Sequence, residues 1–172
     1  LSRLLVFSFL PGPETMFEGV LEVEAGCHVA WDGATARSSP HWDVAEDLLD
    51  EPDDVLIDRV RASVESAVRR RVGGRRKVAA FLSGGVDSSA VVAQLARLEV
   101  DVVAYSVGFG SDQPNELSFA RAVAAHCNQA RNNVEHRIVH VGPDEFIAAL
   151  PGIIWALDDP LCDCITVPNY LL

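Results

Sequence analysis

Seven consecutive residues carry the chemistry that this sequence could perform: Ser83-Gly84-Gly85-Val86-Asp87-Ser88-Ser89. Two adjacent glycines let a backbone come close to a ligand, and a helix starting just after them would offer unpaired N–H groups to an anion. The hydroxyls of Ser88 and Ser89 stand where a first helical turn can be capped. Phosphate is the anion that suits this pattern. The string is not a GxxxxGK[ST] loop, because no lysine follows the glycines and Asp87 places a carboxylate where phosphate would be repelled. A bridging Mg2+ would remove that repulsion, since hard cations join carboxylates to phosphates. A bare S-G-G would read as an ordinary turn between a strand and a helix; the seven residues together favour the anion cradle.

The flanking segments are those that such a loop needs. Lys77 to Leu82 is a nearly all-apolar run of the kind a parallel strand buried on both faces requires. Beyond Asp87, Val91, Val92, Leu95 and Leu98 recur at helical spacing. A second buried strand is expected over Asp101 to Val107, ending at Gly108-Phe109-Gly110. Parallel to the first, it would bring the backbone around Ser106 and Val107 to the same crevice, as an adenine or ribose contact or as a plain strand end. Pro114 to Cys127 reads as a helix, Asn128 to Asn133 as a polar break, and Val134 to Val141 as a third strand with His136, Ile138 and His140 on one face. Two histidines without a third ligand do not make a zinc site. Asp144 to Leu157 reads as a helix with Phe146, Ile147, Leu150, Ile153, Ile154 and Leu157 inward and a kink at Pro151-Gly152.

Upstream, a helix is expected over Asp53 to Val72, its apolar side built from Ile57, Val60, Val64, Ala67 and Val68 and its end marked by Arg69-Arg70-Arg71 and Gly73-Gly74. The basic run Arg69 to Lys77 precedes a strand, so it should lie away from the ligand end of an open sheet. The first forty-odd residues alternate turn signals with short apolar segments, Phe7 to Leu10, Gly19 to Val23 and Cys27 to Trp31, a β-type pattern. The strand and helix alternation from Lys77 onward predicts an α/β fold of right-handed βαβ units, a parallel sheet with flanking helices.

Composition narrows the classes. With 172 residues, 49% of them hydrophobic and 23% charged, the chain can bury a core. A net charge of −11 argues against nucleic acid as partner, since phosphate neutralisation needs clustered Lys and Arg. Cys27, Cys127, Cys162 and Cys164 fit neither a zinc ribbon nor a small disulfide scaffold, so a reduced, cytoplasmic setting is expected. Leu1 to Leu10 is apolar with one arginine, but it lacks an A-x-A-like site and ends at Pro11-Gly12-Pro13, so it reads as structure and not as a signal peptide. No apolar run is long enough to span a membrane.

SGGVDSS after a buried strand resembles the PP-loop of the ATP pyrophosphatases, and with the preceding Phe81-Leu82 and the following helix it is most similar to the synthetase domain of glutamine-hydrolysing asparagine synthetases. The resemblance implies that Ser83, Gly84, Gly85, Val86, Asp87, Ser88 and Ser89 hold the pyrophosphate end of ATP, with Mg2+ joined to Asp87 through the pyrophosphate. It also implies that Leu82 and Val107 lie near the nucleotide and that Asp87 belongs to the catalytic apparatus. Pro11-Gly12-Pro13-Glu14-Thr15-Met16-Phe17-Glu18-Gly19, followed by Ala25-Gly26-Cys27-His28 at a P-G-H-like turn, resembles the tail of the family's glutaminase domain. Glu116 stands where family members carry an acid, and His136 where they carry a histidine to which this reading assigns no role. Asp158-Asp159-Pro160 before Val167-Pro168-Asn169-Tyr170-Leu171-Leu172 resembles a D-E-P run before an I-P-x-Y-L-L helix. Asp158 and Asp163 would then border the acyl-substrate side, although plain surface acids fit them as well.

The domain expectation that follows is a glutaminase-like β remnant over 1–45, a linker over 46–54 and the first part of an ATP-binding synthetase domain over 55–172. The family's N-terminal cysteine and its S-G-x-G-x-D-E segment do not occur here, which reads as a piece of a longer protein. The expected activity is ATP-dependent amide formation. A carboxylate substrate is adenylated with release of pyrophosphate, and glutamine-derived ammonia displaces AMP, converting aspartate to asparagine. A lasso-peptide or β-lactam cyclase using an internal amine is the alternative within the family, and a non-catalytic nucleotide-binding chain the alternative outside it. Expected partners are the small-molecule or peptide acid and the remainder of the synthetase domain or a second chain, with a homodimer left open.

Overall fold

The computed structural model describes residues 2–46, 49–110, 116–157, 163 and 165–172. The elements run α1 (Ser2–Phe7), β1 (Cys27–Trp31), β2 (Ala36–Pro40), α2 (Asp53–Val72), β3 (Lys77–Phe81), α3 (Val86–Arg97), β4 (Asp101–Gly108), α4 (Leu117–Arg131), β5 (Val134–His140), α5 (Pro143–Leu157) and α6 (Thr166–Leu171). They divide into two compact units, Leu1–Asp50 with Gly152–Cys164, and Glu51–Pro151 with Ile165–Leu172.

In the first unit, β1 and β2 form an antiparallel hairpin with Trp31 opposite Ala36. Its turn is built on Asp32, whose carboxylate accepts from the amides of Ala34 and Thr35 at 3.0 and 2.9 Å. Those amide bonds hold the Asp32 carboxyl below the ordinary carboxylate range. The β-type expectation needs correction at two places before β1. Phe7 closes a short helix, ended by Ser8 at φ 62° with its N–H on Leu4 O, and Gly19 to Val23 contributes only an isolated bridge from Leu21 to Glu14. Leu4 and Ile153 are buried here, while Trp31, Trp42 and Trp155 are exposed.

The second unit is a parallel three-stranded sheet in the order β3-β4-β5, with α3 and α4 as the crossovers. Registers run Lys77 to Asp101 and Val102 to Val134, so both pairings start from the amino ends. Parallel pairing of sequential strands forces each connection back along the sheet, and a helix does this while burying its apolar stripe. Val92, Leu95 and Ala96 of α3 and Ala120, Ala124 and Cys127 of α4 meet Val102, Ala104 and Val134 of the sheet, joined by Val68 and Val72 of α2. Burial pushes the Cys127 thiol pKa up, as suits a cysteine used as a small apolar residue.

Helix α2 has the expected bounds, and Gly73 at φ 55° closes it with its N–H on Arg69 O. Its expected apolar face is only partly used: Val68 and Val72 are buried, but Ile57, Val60 and Ala67 are exposed. No described element of the unit covers that half of the helix. The run after Arg69 serves this helix end, with Arg69 on Glu65 and Arg75 donating to Arg71 O and Val72 O.

Strand β3 also departs from expectation, since it alternates between exposed and half-buried and Phe81 is 56% exposed. The strand covered on both faces is β4, because β3 has a neighbour on one side alone among the described residues. Between β3, α2 and α3 this leaves an open apolar groove of about 780 Å³. In α5, Ile153 is buried, but Ile147, Ile154 and Leu157 are exposed. No helix among the described residues is long and apolar enough to cross a membrane.

Candidate functional site

Strand pairing persists one residue past β3, because the Leu82 N–H donates to Tyr105 O at 2.7 Å and Leu82 is fully buried. The chain then turns through Ser83, Gly84 and Gly85 into α3. The two glycines have separate tasks. Gly84 sits at φ +95°, and a Cβ there would lie 2.8 Å from Phe119 Cβ, 2.9 Å from Ala120 N and 3.1 Å from Glu116 O, so this residue presses the loop onto the start of α4. Gly85 has φ −69° and ψ 164° as the N-cap residue of α3, and a Cβ there would come no nearer than 3.4 Å, to Ser83 Oγ.

A ring of hydrogen bonds braces the turn. Gly85 N–H donates to Ser83 Oγ at 3.2 Å, and Ser83 and Ser88 hydroxyls meet at 2.9 Å. Ser88 Oγ donates to Gly85 O at 3.3 Å and accepts from Ser83 N–H at 3.2 Å. With the Ser88 proton on Gly85 O, Ser83 must be the donor of the pair, since each hydroxyl has one hydrogen. The amides of Gly84, Val86, Asp87 and Ser88 have no acceptor among the described residues, and α3 has no side-chain cap. Four free N–H groups at the positive end of a helix are donors that could cradle an anion. Asp87 lies exposed in that first turn, with no ion pair among the described residues.

Beside the loop, the carboxyl ends of β3 and β4 open into a crevice of about 500 Å³, within the size range of small-molecule sites. Leu82, Ser83, Tyr105, Ser106, Val107 and Phe109 contribute from the strands, Glu116 and Leu117 from α4, and Ile165, Pro168, Asn169 and Leu172 from α6 and its flanks. It is mainly apolar, and among the described residues no Lys or Arg lines it.

The structure thus places Leu82, Ser83 and Val107 on one crevice and Ser83, Gly84, Gly85, Val86, Asp87 and Ser88 on one cradle. Ser89 stands apart: it borders a shallow recess between α3 and α4 with Ala93, Val123 and Cys127, and its buried hydroxyl has no partner among the described residues. Asp158, Cys162 and Cys164 lie outside the described residues, and Asp163 is exposed. Among the described residues no three His, Cys, Asp or Glu side chains cluster closely enough to hold a metal ion.

Ser106, which lines the crevice, and His136 behind it carry more than their sequence pattern suggested. Ser106, 2% exposed, donates to Leu82 O and meets His136 Nε2 at 2.7 Å. Burial, helped by the charge of Arg121, pushes the His136 pKa below its ordinary value. The signal for Ser106 was present, as a small polar residue among the buried positions of the apolar strand DVVAYSVG.

Residues 59–172 match the family model described as asparagine synthase. A protein named putative asparagine synthetase [glutamine-hydrolyzing] from Mycobacterium tuberculosis is 32% identical over 100% of this chain and 26% of its own length. Asparagine synthetase [glutamine-hydrolyzing] 1 of Bacillus subtilis is 28% identical over 100% of this chain and 27% of its own. Carboxyethyl-arginine beta-lactam-synthase of Streptomyces clavuligerus is 33% identical over 90% and 28%. The chain spans about a quarter of the length of these relatives. A family model covering most of the chain, with relatives that match it along its full length, places this chain in the asparagine synthase family.

Proposed function

We propose that this chain forms the nucleotide-holding part of an ATP-dependent amide-forming ligase. The observation that carries the reading is the loop from Ser83 to Ser88, four free amides at a helix start opening beside an apolar crevice at the strand ends. In the proposed reaction a carboxylate oxygen attacks the α-phosphorus of ATP, the bond to the β-phosphate breaks, and an amine then attacks the acyl carbon and releases AMP.

The residues present suit a triphosphate. The amides of Gly84, Val86, Asp87 and Ser88 and the Ser83 and Ser88 hydroxyls would receive the pyrophosphate, and Leu82 and Val107 would flank the base or ribose. Ser89, facing away, would act through its place in the helix. No Lys or Arg among the described residues lines the crevice, and Asp87 adds negative charge, so the cradle suits a metal-bound anion. Mg2+, when bound, supplies the charge neutralisation that these residues lack. The chain's own contribution is positioning: amides fixed before the ligand arrives stabilise charge on the departing pyrophosphate without reorganising.

Aspartate as the acid and glutamine-derived ammonia as the amine follow the relatives named asparagine synthetase. A comparably similar relative named for a β-lactam favours a second reading, the same adenylation with an internal amine. Residues 1–45 as the end of a glutaminase-like domain, 46–54 as a linker, a cytoplasmic location and a homodimer belong to the same proposal. ATP–pyrophosphate exchange on the intact protein tests it. Exchange that depends on aspartate supports the first reading, and exchange that depends on carboxyethyl-arginine supports the second. ATP binding with no exchange under any acid would leave a nucleotide-binding chain that is not a ligase.

A further inference from the structure

We propose that Ser106 and His136 are positioning residues that tie the phosphate-binding loop to the sheet by fixing the Leu82–Ser83 peptide. The proposal rests on reading that loop as the ATP cradle and deepens it. A peptide plane is oriented by what holds its two polar ends. Here the carbonyl of Leu82 accepts from Ser106 Oγ, and the N–H of Ser83 donates to Ser88 Oγ at 3.2 Å. One end is anchored in the central strand, the other in the first turn of α3. The plane at which the chain leaves β3 therefore has no free rotation.

His136 completes the tie. Ser106 has one proton, and it is spent on Leu82 O, so the contact at 2.7 Å to His136 Nε2 requires the imidazole to donate. This selects the tautomer protonated at Nε2 and gives the serine oxygen a charge-free partner in a buried site, where an unpaired group would be costly. Three adjacent strands thus contribute one link each: Leu82 at the end of β3, Ser106 on β4 and His136 on β5. Neither serine nor histidine needs to touch the nucleotide. Their effect is that the free amides of Gly84, Val86, Asp87 and Ser88 already face the ligand before it binds, which lowers the cost of binding.

The test uses the intact protein with Mg·ATP as probe. Ser106→Ala and His136→Leu should each weaken Mg·ATP binding roughly tenfold, the scale of one buried hydrogen bond lost. His136→Gln, which keeps an N–H donor at similar reach, should recover most of that loss. Because the two act in series, the double variant should bind no worse than Ser106→Ala alone. The exchange of the Ser83 amide with solvent should quicken in both loss variants and stay slow with glutamine. A purely packing role would lower the unfolding midpoint and leave the affinity of the folded variants and the Ser83 exchange unchanged, and that result overturns the proposal. If Ser106→Ala does not fold, the leucine and glutamine variants at the part-exposed His136 decide the same question. Failure of the unaltered protein to bind Mg·ATP, with Ser83 exchange still quickened by His136→Leu, overturns the nucleotide reading and leaves the tie itself standing.

Discussion

Replacing each of the two loop glycines by alanine should have opposite consequences. At Gly84 an alanine must hold φ +95°, which costs an L residue roughly 1–2 kcal/mol. Its methyl would also meet Phe119 Cβ and Ala120 N at under 3.0 Å, an overpacking that costs about 1–3 kcal/mol. Together these put Gly84→Ala at about 2–5 kcal/mol, a large share of a typical domain's net stability. At Gly85 the angles suit any residue and the methyl finds 3.4 Å of clearance. There the lost N-cap preference, of order a few tenths to 1 kcal/mol, is offset by about 0.4–1 kcal/mol from a less flexible unfolded chain. Gly85→Ala should therefore unfold at nearly the native denaturant concentration, yet bind Mg·ATP more weakly, because its methyl stands where the loop amides approach the phosphates. Denaturant titration of both variants, with calorimetry of Mg·ATP on the folded proteins, reads the two effects separately. Equal unfolding midpoints for the two variants would refute the packing of Gly84 on α4. Native affinity in Gly85→Ala would refute the approach of the ligand at that residue.

Three further outcomes are expected. Asp87→Ala should abolish the Mg2+-dependent part of ATP binding while leaving metal-free affinity equal or higher, and an unchanged Mg2+ dependence by calorimetry would contradict the metal bridge. Val92→Ala, at a fully buried position, should cost about 2 kcal/mol or more, against about 0.5 kcal/mol for the 40% exposed neighbour in Val91→Ala. His136 has a folded-state pKa below its ordinary 6.5, so the unfolded chain takes up the proton first. Its contribution is intact above pH 6.5 and declines as pH falls from there through the lower folded value. Unfolding midpoints measured from pH 7.5 downward should fall less steeply in His136→Gln than in the native protein.

Much of the site was legible because it is local. A glycine pair between an apolar run and a helical repeat specifies strand, turn and helix within a dozen residues, and the Gly73 stop of α2 is equally short-range. What escaped depends on distant partners. The apolar run of β3 reads the same whether a strand has one neighbour or two, so its half-exposed state could not be inferred from Val78 or Phe81. Strand β2, Ala36–Pro40, carries no apolar alternation and exists by pairing with β1. The polar stretch after Cys127 looked like a break, yet α4 runs on to Arg131. Asn128, inside it, accepts from Val134 N–H and donates to Val134 O at 2.9 and 2.8 Å, and Asn132 ends the helix at φ 50°. Ser106 and His136 stand 30 residues apart, a separation at which no local pattern reports a bond.

The sheet's spatial order also repeats the order of synthesis, β3 then β4 then β5. As the polypeptide emerges from the ribosome, each arriving strand finds the one it must join already made, with its crossover helix delivered in between. The ring around Ser83 closes with the first of these additions, and the tie from His136 arrives with the last. Assembly would thus give the loop its shape early and its rigidity late.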